Sequence, residues 1–335
     1  MEEKIYEKYQ SKLSLKETEV AIKFVKDFFE NRLAKALNLT RVSSPLFVLS
    51  SSGLNDHLNG VEEPVSFKVD KDIDDKLEIV QSLAKWKRNA LYRYGFQVGE
   101  GLYADMNAIR KDEVLDNIHS CYVDQWDWEL IIENKDRNYS FLKKIVKKIY
   151  KTMLSLERAV NKKYPMFSNK LPKEIHFIST KKLEEKYPSL SRKERENEIT
   201  KEFGAVFLYQ IGWPLSDKMP HDGRAADYDD WKLNGDILVW DEVINRALEL
   251  SSMGIRVNDL SLKKQLKYKN ELNKLDNPYS QGILNGALPL TIGGGIGQSR
   301  LCMYFLEKVH IGEVQSSYWN KDYLKQLEKY GVKIL

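Results

Sequence analysis

Four of the five residues from 293 to 297, Gly293, Gly294, Gly295 and Gly297, have no side chain, and no other stretch constrains this chain as much. They lie in GALPLTIGGGIGQSRL, residues 286–301, with Arg300 just beyond the last glycine. Glycine lets a backbone approach a ligand closely and take dihedral angles that other residues resist. The pattern predicts a strand, a glycine turn and an amphipathic helix. Arg300, on the first turns of that helix, is a permanent planar cation suited to a phosphate or a ring face. The stretch is neither a G-x-x-x-x-G-K-[ST] loop nor the glycine fingerprint of an early βαβ unit. A strand-to-helix turn of purely structural purpose satisfies the same pattern.

Around this stretch the chain is 335 residues long, 42% hydrophobic and 30% charged, enough to bury a core. Its net charge of +4 is the small difference between 53 basic and 49 acidic residues. A dedicated nucleic-acid binder concentrates a basic face, so no nucleic-acid partner is expected. Only two cysteines, Cys121 and Cys302, argue for a reducing, cytoplasmic setting without a disulfide framework. The charged opening, MEEKIYEKYQ, lacks a signal-peptide core, and no apolar run approaches a membrane span.

Apolar residues at four-residue steps (Val20, Phe24, Phe28; Ala21, Val25, Phe29, Leu33, Leu37) predict an amphipathic helix over 17–37. It runs into TRVSSPLFV, which Pro45 demotes to an edge or interface strand, and then a Gly/Asn loop over 51–60. Val65, Phe67 and Val69 alternate as a strand, DKDIDD forms a turn, and 77–83 reads as the hairpin partner. A short basic helix over 84–94, a strand over 119–129 and a long helix over 140–164 follow. Two short strands, around 175–178 and 205–210, flank charged helices with Ser191 and Glu194 as a capping pair. Residues 212–230 form a long irregular loop, followed by strand candidates in LNGDILVW and ALELSSMGIRV. Strands in consecutive pairs predict an α+β fold with an antiparallel sheet.

Among the cations, Lys85, Lys87 and Arg88 share one helix, Arg110 ends GLYADMNAIR, and Arg224, Arg256 and Arg300 sit beside glycine or a strand. A buried Arg needs a carboxylate or a ligand's phosphates. Asp236 and Glu249, on neighbouring strand candidates, offer the hard oxygens that a Mg²⁺–nucleotide site requires. A salt bridge from each to Arg256 or Arg300 explains them equally well. In YVDQWDW, alternation places Asp124 with Tyr122, Trp126 and Trp128, and turns Gln125 and Asp127 to the other face. There they can read an amino group or an amide, or simply meet water. None of the five histidines has a partner at i, i+4, so no helical zinc motif is present; His119 and His221 lie nearest the candidate site. Both cysteines read as core packing.

QSLAKWKR, GEGLY, YVDQWDWE, HFIS, GAVFL, DYDDW, LNGDILVW, ELSSMGIRV and TIGGGIGQSRL carry a resemblance over nearly the whole chain. Together and in this order they resemble the ammonia-dependent aspartate–ammonia ligase family (asparagine synthetase A). More widely, they resemble the catalytic domain of class II aminoacyl-tRNA synthetases of the aspartyl and asparaginyl type. The resemblance implies an α+β, class II synthetase-like antiparallel sheet flanked by helices, in a single catalytic domain over 1–335. Motif 1 then falls at about 17–49, motif 2 at about 100–129 and motif 3 at about 286–307, with a homodimer formed through motif 1. It further implies ATP-dependent ligation of ammonia to L-aspartate, giving L-asparagine, AMP and diphosphate through a β-aspartyl adenylate.

Carried onto this sequence, the family pattern assigns Arg110 and Arg300 to the ATP phosphates, with Arg300 also against the adenine and Gly295 beside the nucleotide. Asp236 and Glu249 hold Mg²⁺. Ser82, Lys87, Gln125, Asp127, Asp229 and Arg256 fix L-aspartate, and Asp56 in the Gly/Asn loop closes over it and is the candidate base for ammonium. Ala226 stands where the family pattern has Pro, and His57 where it has Asn; neither is an assigned contact. A tRNA synthetase would need an anticodon-binding segment ahead of motif 1, for which about twenty residues leave no room. A non-catalytic sensor would be expected to lack one of Arg110, Arg300, Asp236 and Glu249, and all four are present.

Overall fold

The four-residue apolar step near the start is realised as one long helix, and the strands that follow build the sheet it packs on. The computed structural model describes residues 3–56, 58, 62–69 and 74–335; His57, 59–61 of the Gly/Asn loop and 70–73 of the expected turn lie outside them. The first elements are α1 (Glu3–Tyr6), α2 (Leu15–Leu37), β1 (Leu39–Arg41), β2 (Phe47–Leu49), β3 (Ser66–Phe67), β4 (Leu77–Ile79) and α3 (Ala84–Arg93). Next come β5 (Gly101–Ile109), β6 (Tyr122–Ile131), α4 (Tyr139–Lys163), β7 (His176–Ser179), α5 (Thr180–Lys186), α6 (Arg192–Phe203) and β8 (Ala205–Tyr209). The remainder is β9 (Asp229–Asp241), β10 (Arg246–Arg256), α7 (Asp259–Lys269), α8 (Pro278–Leu284), β11 (Thr291–Gly297), α9 (Gln298–Phe305) and α10 (Lys321–Lys329).

Helix α2 starts at a capping box between Ser14 and Glu17 and stops at Asn38, which takes the left-handed conformation. Ser191 and Glu194 cap α6 in the same way, as their spacing predicts. Pro45 does more than mark an edge. The segment around it changes sheets: β1 pairs with β5, whereas β2 pairs with β4 in a small sheet ordered β2-β4-β3. The hairpin partner expected over 77–83 is a strand only to Ile79.

The main sheet has eight strands in the order β1-β5-β6-β11-β10-β9-β8-β7. Its interior pairs are antiparallel, and only the edge pairs β1–β5 and β7–β8 are parallel. One face carries the large apolar cluster. There Trp126 and Trp128 of β6 meet α2, α4 and α9, with the Phe29 and Trp126 ring centroids 5.1 Å apart. Every second residue of β6 therefore points away from that core.

The glycine turn expected at 293–297 is not a turn. Those residues lie in β11, between β6 and β10 at the middle of the sheet, and none of their glycines has a positive φ. Their value is space. A Cβ on Gly294 would stand 2.6 Å from the Met253 Cβ, one on Gly293 would fall on the Glu129 carboxylate, and one on Gly295 on the Gln125 amide.

Candidate active site

Alternation along β6 turns Gln125, Asp127 and Glu129 to the face opposite the apolar core. Because β11 sets Gly297, Gly295 and Gly293 directly beside them, their side chains can lie across its backbone. Glu129 is fully buried and holds Arg256 from the end of β10: Nε donates to both carboxylate oxygens at 3.0 and 3.1 Å, and Nη2 to Oε2 at 2.8 Å. Arg256 Nη1 donates to Asp229 Oδ1 at 2.5 Å. Lys87, on α3, pairs with Asp127, donates to the Gly294 carbonyl at 3.0 Å and lies 4.0 Å from Glu129.

Burial alone would raise the Glu129 carboxyl, but Arg256 and Lys87 outweigh it and hold the group below the usual carboxylate range. Asp229 ends above that range, because burial there exceeds the pull of Arg256. Burial also lowers the Lys87 ammonium against the attraction of Asp127.

Lys87, Gln125, Asp127, Asp229 and Arg256 line the floor of a cavity of about 430 Å³. Arg110, beyond the end of β5, reaches its rim; its Nη2 meets the Gln81 carbonyl at 3.5 Å and its buried Nε has no partner. Arg300, on α9, donates to two carbonyls, Glu249 O at 3.2 Å and Ile118 O at 3.4 Å. Among the described residues, neither guanidinium makes an ion pair with a carboxylate. Both face a polar cavity.

The β9–β10 pair supplies the carboxylates. A bulge between Glu249 and Ser251 breaks the alternation of β10, so Glu249 and Ser252 share the face that Asp236 takes on β9. Asp236 does not pair with Arg256 or Arg300, the partners its sequence position suggested. Arg224, from the loop between β8 and β9, donates to its Oδ2 at 2.5 Å. The other oxygen, Oδ1, is buried without a hydrogen-bond partner. Burial, with Glu249 adding to it, pushes Asp236 up to about 7 in spite of Arg224.

Asp56, Ser82, Lys87, Arg110, Gln125, Asp127, Asp229, Glu249, Arg256, Gly295 and Arg300 all line this cavity. Asp236 alone among the expected site residues stands behind the lining, screened by Arg224. Ser82 Oγ accepts from Ala84 N at 3.1 Å at the entry to α3, and Asp56 Oδ1 accepts from Leu58 N at 3.1 Å. His119 lines the cavity, bonded to Asp116 at 2.8 Å, whereas His221 is held away by Glu196 at 2.9 Å. Glu129, which does not line the cavity but holds Arg256, was not anticipated; it follows from the same alternation that selected Gln125 and Asp127, extended by one more step. Lys193, at the start of α6 on the rim, was not anticipated either and left no signal in the sequence beyond its charge.

Comparison with known proteins supplies the context for this arrangement. A family model described as aspartate–ammonia ligase matches residues 16–331. An aspartate–ammonia ligase of Clostridium tetani is 58% identical over 331 residues, covering 99% of this chain and 97% of that relative. An asparaginyl-tRNA synthetase of Pyrococcus horikoshii, solved with asparaginyl-adenylate, superposes with a TM-score of 0.65 at 16% identity, over 89% of this chain and 68% of that one. Its Entamoeba histolytica counterpart, also with asparaginyl-adenylate, gives 0.64 at 15% identity, over 91% and 68%. At that identity the synthetases show the fold alone, a class II synthetase-like sheet with flanking helices.

Proposed function

The chain belongs to the aspartate–ammonia ligase family, a ligase of asparagine synthesis from aspartate, and on that premise we propose that it uses ATP and free ammonia, forms a β-aspartyl adenylate, and releases L-asparagine, AMP and diphosphate. The observation that carries this reading is the pair Arg110 and Arg300. Two guanidiniums that face a polar cavity and, among the described residues, make no ion pair with a carboxylate call for a polyanionic ligand, and a nucleotide triphosphate is one.

A carboxylate is a poor acyl donor because its leaving group would be an oxide. Attack of the β-carboxylate oxygen on the α-phosphorus forms the carboxyl–phosphate bond and expels diphosphate. Arg110 and Arg300 stabilise the charge that develops there and hold the reacting atoms in line. Ammonia then attacks the β-carbonyl, the acyl C–O bond breaks, and AMP departs with one oxygen of the original carboxylate.

Lys87 and Arg256 present cations to the carboxylates of aspartate, while Asp127 and Gln125 accept from its ammonium group. Much of Arg256 is already committed to Glu129 and Asp229, so its share is to fix the shape of the pocket. Ser82 and Gly295 complete the wall. In this reading Asp56 takes a proton as ammonium becomes ammonia. Asp236 and Glu249 fit a magnesium ion: both donors are hard oxygens on one face, and Asp236 Oδ1 has no protein partner. That ion would neutralise charge on the phosphates.

The rest of the reading is of the same kind. The chain is one catalytic domain, and it pairs as a homodimer through α2 and the Pro45 segment that leads into β2, where Leu15, Val20, Leu46 and Phe47 are exposed. Both cysteines are free, which suits a cytoplasmic setting. Among the described residues, no helix is long and apolar enough to cross a membrane. No nucleic-acid partner is invoked.

The test supplies aspartate labelled with oxygen-18 in its β-carboxylate, with ATP, Mg²⁺ and ammonium, and glutamine replacing ammonium in a control. Asparagine should form with ammonium, and one labelled oxygen should appear in AMP. Label in orthophosphate with ADP as product, or asparagine only from glutamine, would overturn the reading.

A further inference from the structure

Arg224 stands where the proposed reaction has another use for the space. Its Nη2 donates to Asp236 Oδ2 at 2.5 Å, and its Nη1 donates to Asp222 Oδ2 at 2.8 Å and to the Gly223 carbonyl at 3.1 Å. Glu249 adds a further negative charge on the same face of the β9–β10 pair as Asp236. A buried carboxylate without a counter-charge is costly, and no other cation of the protein bonds to Asp236 among the described residues. The nucleotide-free chain thus supplies its own cation at a carboxylate that shares its face of the sheet with Glu249.

We propose that Arg224 is a built-in counter-ion that holds the divalent-cation place at Asp236 in the nucleotide-free chain, and that it is exchanged for that cation when metal-bound nucleotide enters. The proposal rests on the ATP reading above. Exchange, rather than coexistence, follows from the donor set. A magnesium ion takes carboxylate oxygens directly at about 2.0–2.1 Å, so even on Oδ1 of Asp236 it would stand within a few ångström of the guanidinium held on Oδ2. Two cations on one buried carboxylate would repel each other strongly.

The location of Arg224 favours release. It is carried on the connection between β8 and β9, not on a strand, whereas Asp236 is fixed by sheet pairing on both sides and Glu249 by its pairing with β9. Arg224 belongs to the cavity wall, so once released its guanidinium stays within reach of an entering anion. The device keeps the bare protein from taking up a divalent ion tightly without its nucleotide.

Mn²⁺ accepts the same oxygen donors and is read by electron paramagnetic resonance, so it is titrated into the full-length nucleotide-free protein. Arg224→Gln should bind Mn²⁺ at least about tenfold more tightly than the wild type. Arg224→Lys should stay near the wild type, and adding Asp236→Asn to Arg224→Gln should abolish the gain. Affinity in Arg224→Gln that is unchanged or weaker, or a gain that survives Asp236→Asn, overturns the proposal. A second measurement needs no substitution. The side-chain NMR signal of Arg224 in the wild type should move when Mg²⁺ is added with an ATP analogue bearing a methylene between its α and β phosphates; an unmoved signal overturns the exchange. Failure of the underlying reading shows separately. If wild-type AMP formation needs no divalent cation, the ATP–magnesium reading falls; if it does need one while the Mn²⁺ series is flat, only the exchange falls.

Discussion

Glu129 grips Arg256 through both carboxylate oxygens directly against the backbone of Gly293, so that the ion pair and the missing side chain are one feature. Neither residue has room to make this contact if the strand beside them carries a Cβ.

Gly293→Ala is therefore expected to break the pair and leave charges buried. The cost should be about 3–5 kcal/mol in chemical denaturation, together with loss of asparagine formation. Gly297→Ala is the internal control. A Cβ there would meet only Arg300, at an ordinary 3.5 Å, and should cost under about 1 kcal/mol. Equal effects at the two positions would contradict the role assigned to Gly293.

Arg110→Ala and Arg300→Ala should lower kcat for AMP formation by about 10²–10³-fold each. Because neither guanidinium has a carboxylate partner among the described residues, their removal should change unfolding free energy by less than about 1 kcal/mol. Near-normal turnover by either variant, in a folded protein, would remove it from the phosphate site.

His310 gives a stability dependence remote from the cavity. Its Nδ1 accepts from Gly312 N at 3.0 Å and its Nε2 lies 3.0 Å from the Tyr323 hydroxyl, so the neutral ring carries its proton on Nε2. Burial depresses it to about 4, from an ordinary 6.5. Between these values the unfolded chain binds the extra proton and the folded chain does not. Stability is thus fully present above pH 6.5 and is lost as pH falls toward 4, by about 2–3 kcal/mol. Denaturation curves followed by Trp319, whose ring lies 4.7 Å away, should show this slope, and His310→Gln should flatten it.

Asp241 works in the opposite sense. Burial raises it to about 6 although Lys170 opposes the shift, and its Oδ2 has no hydrogen-bond partner. The unfolded carboxyl ionises near pH 4 while the folded one keeps its proton to about 6, so this group lowers stability as pH rises through that window. Asp241→Asn should stabilise the protein by about 1–2 kcal/mol at pH 7.5, with the gain vanishing near pH 4. Lys170 keeps Glu307 at 3.8 Å, so it is not stranded. A destabilised variant at pH 7.5 would show that the Asp241–Lys170 attraction dominates.

Local periodicity carried much of the fold and site. The spacing in α2 and the alternation in β6 are properties of neighbouring residues, so helix 17–37 and the facing of Gln125 and Asp127 were legible before any contact was known. Features set by distant partners were not. The glycines of β11 look like a turn because the reason for them is the Glu129 carboxylate and the Gln125 amide on the next strand. Pro45 looks like an edge marker because the two sheets it separates are defined only by β5 and β4. Asp236 gave no sign of choosing Arg224 over Arg256, since that choice depends on how the 212–230 loop folds back. The Glu249 bulge is equally silent in sequence, yet it decides which side chains reach the cavity.

The bare middle strand sets a limit on how such a site can be remodelled. A pocket walled by side chains can be reshaped one substitution at a time, but at Gly293 and Gly295 the room a side chain would need is already taken by Glu129 and Gln125, and at Gly294 by Met253. Variation in substrate preference must therefore be written on the flanking strands and on the 212–230 loop. The centre of the sheet is a template that laboratory evolution would have to leave untouched.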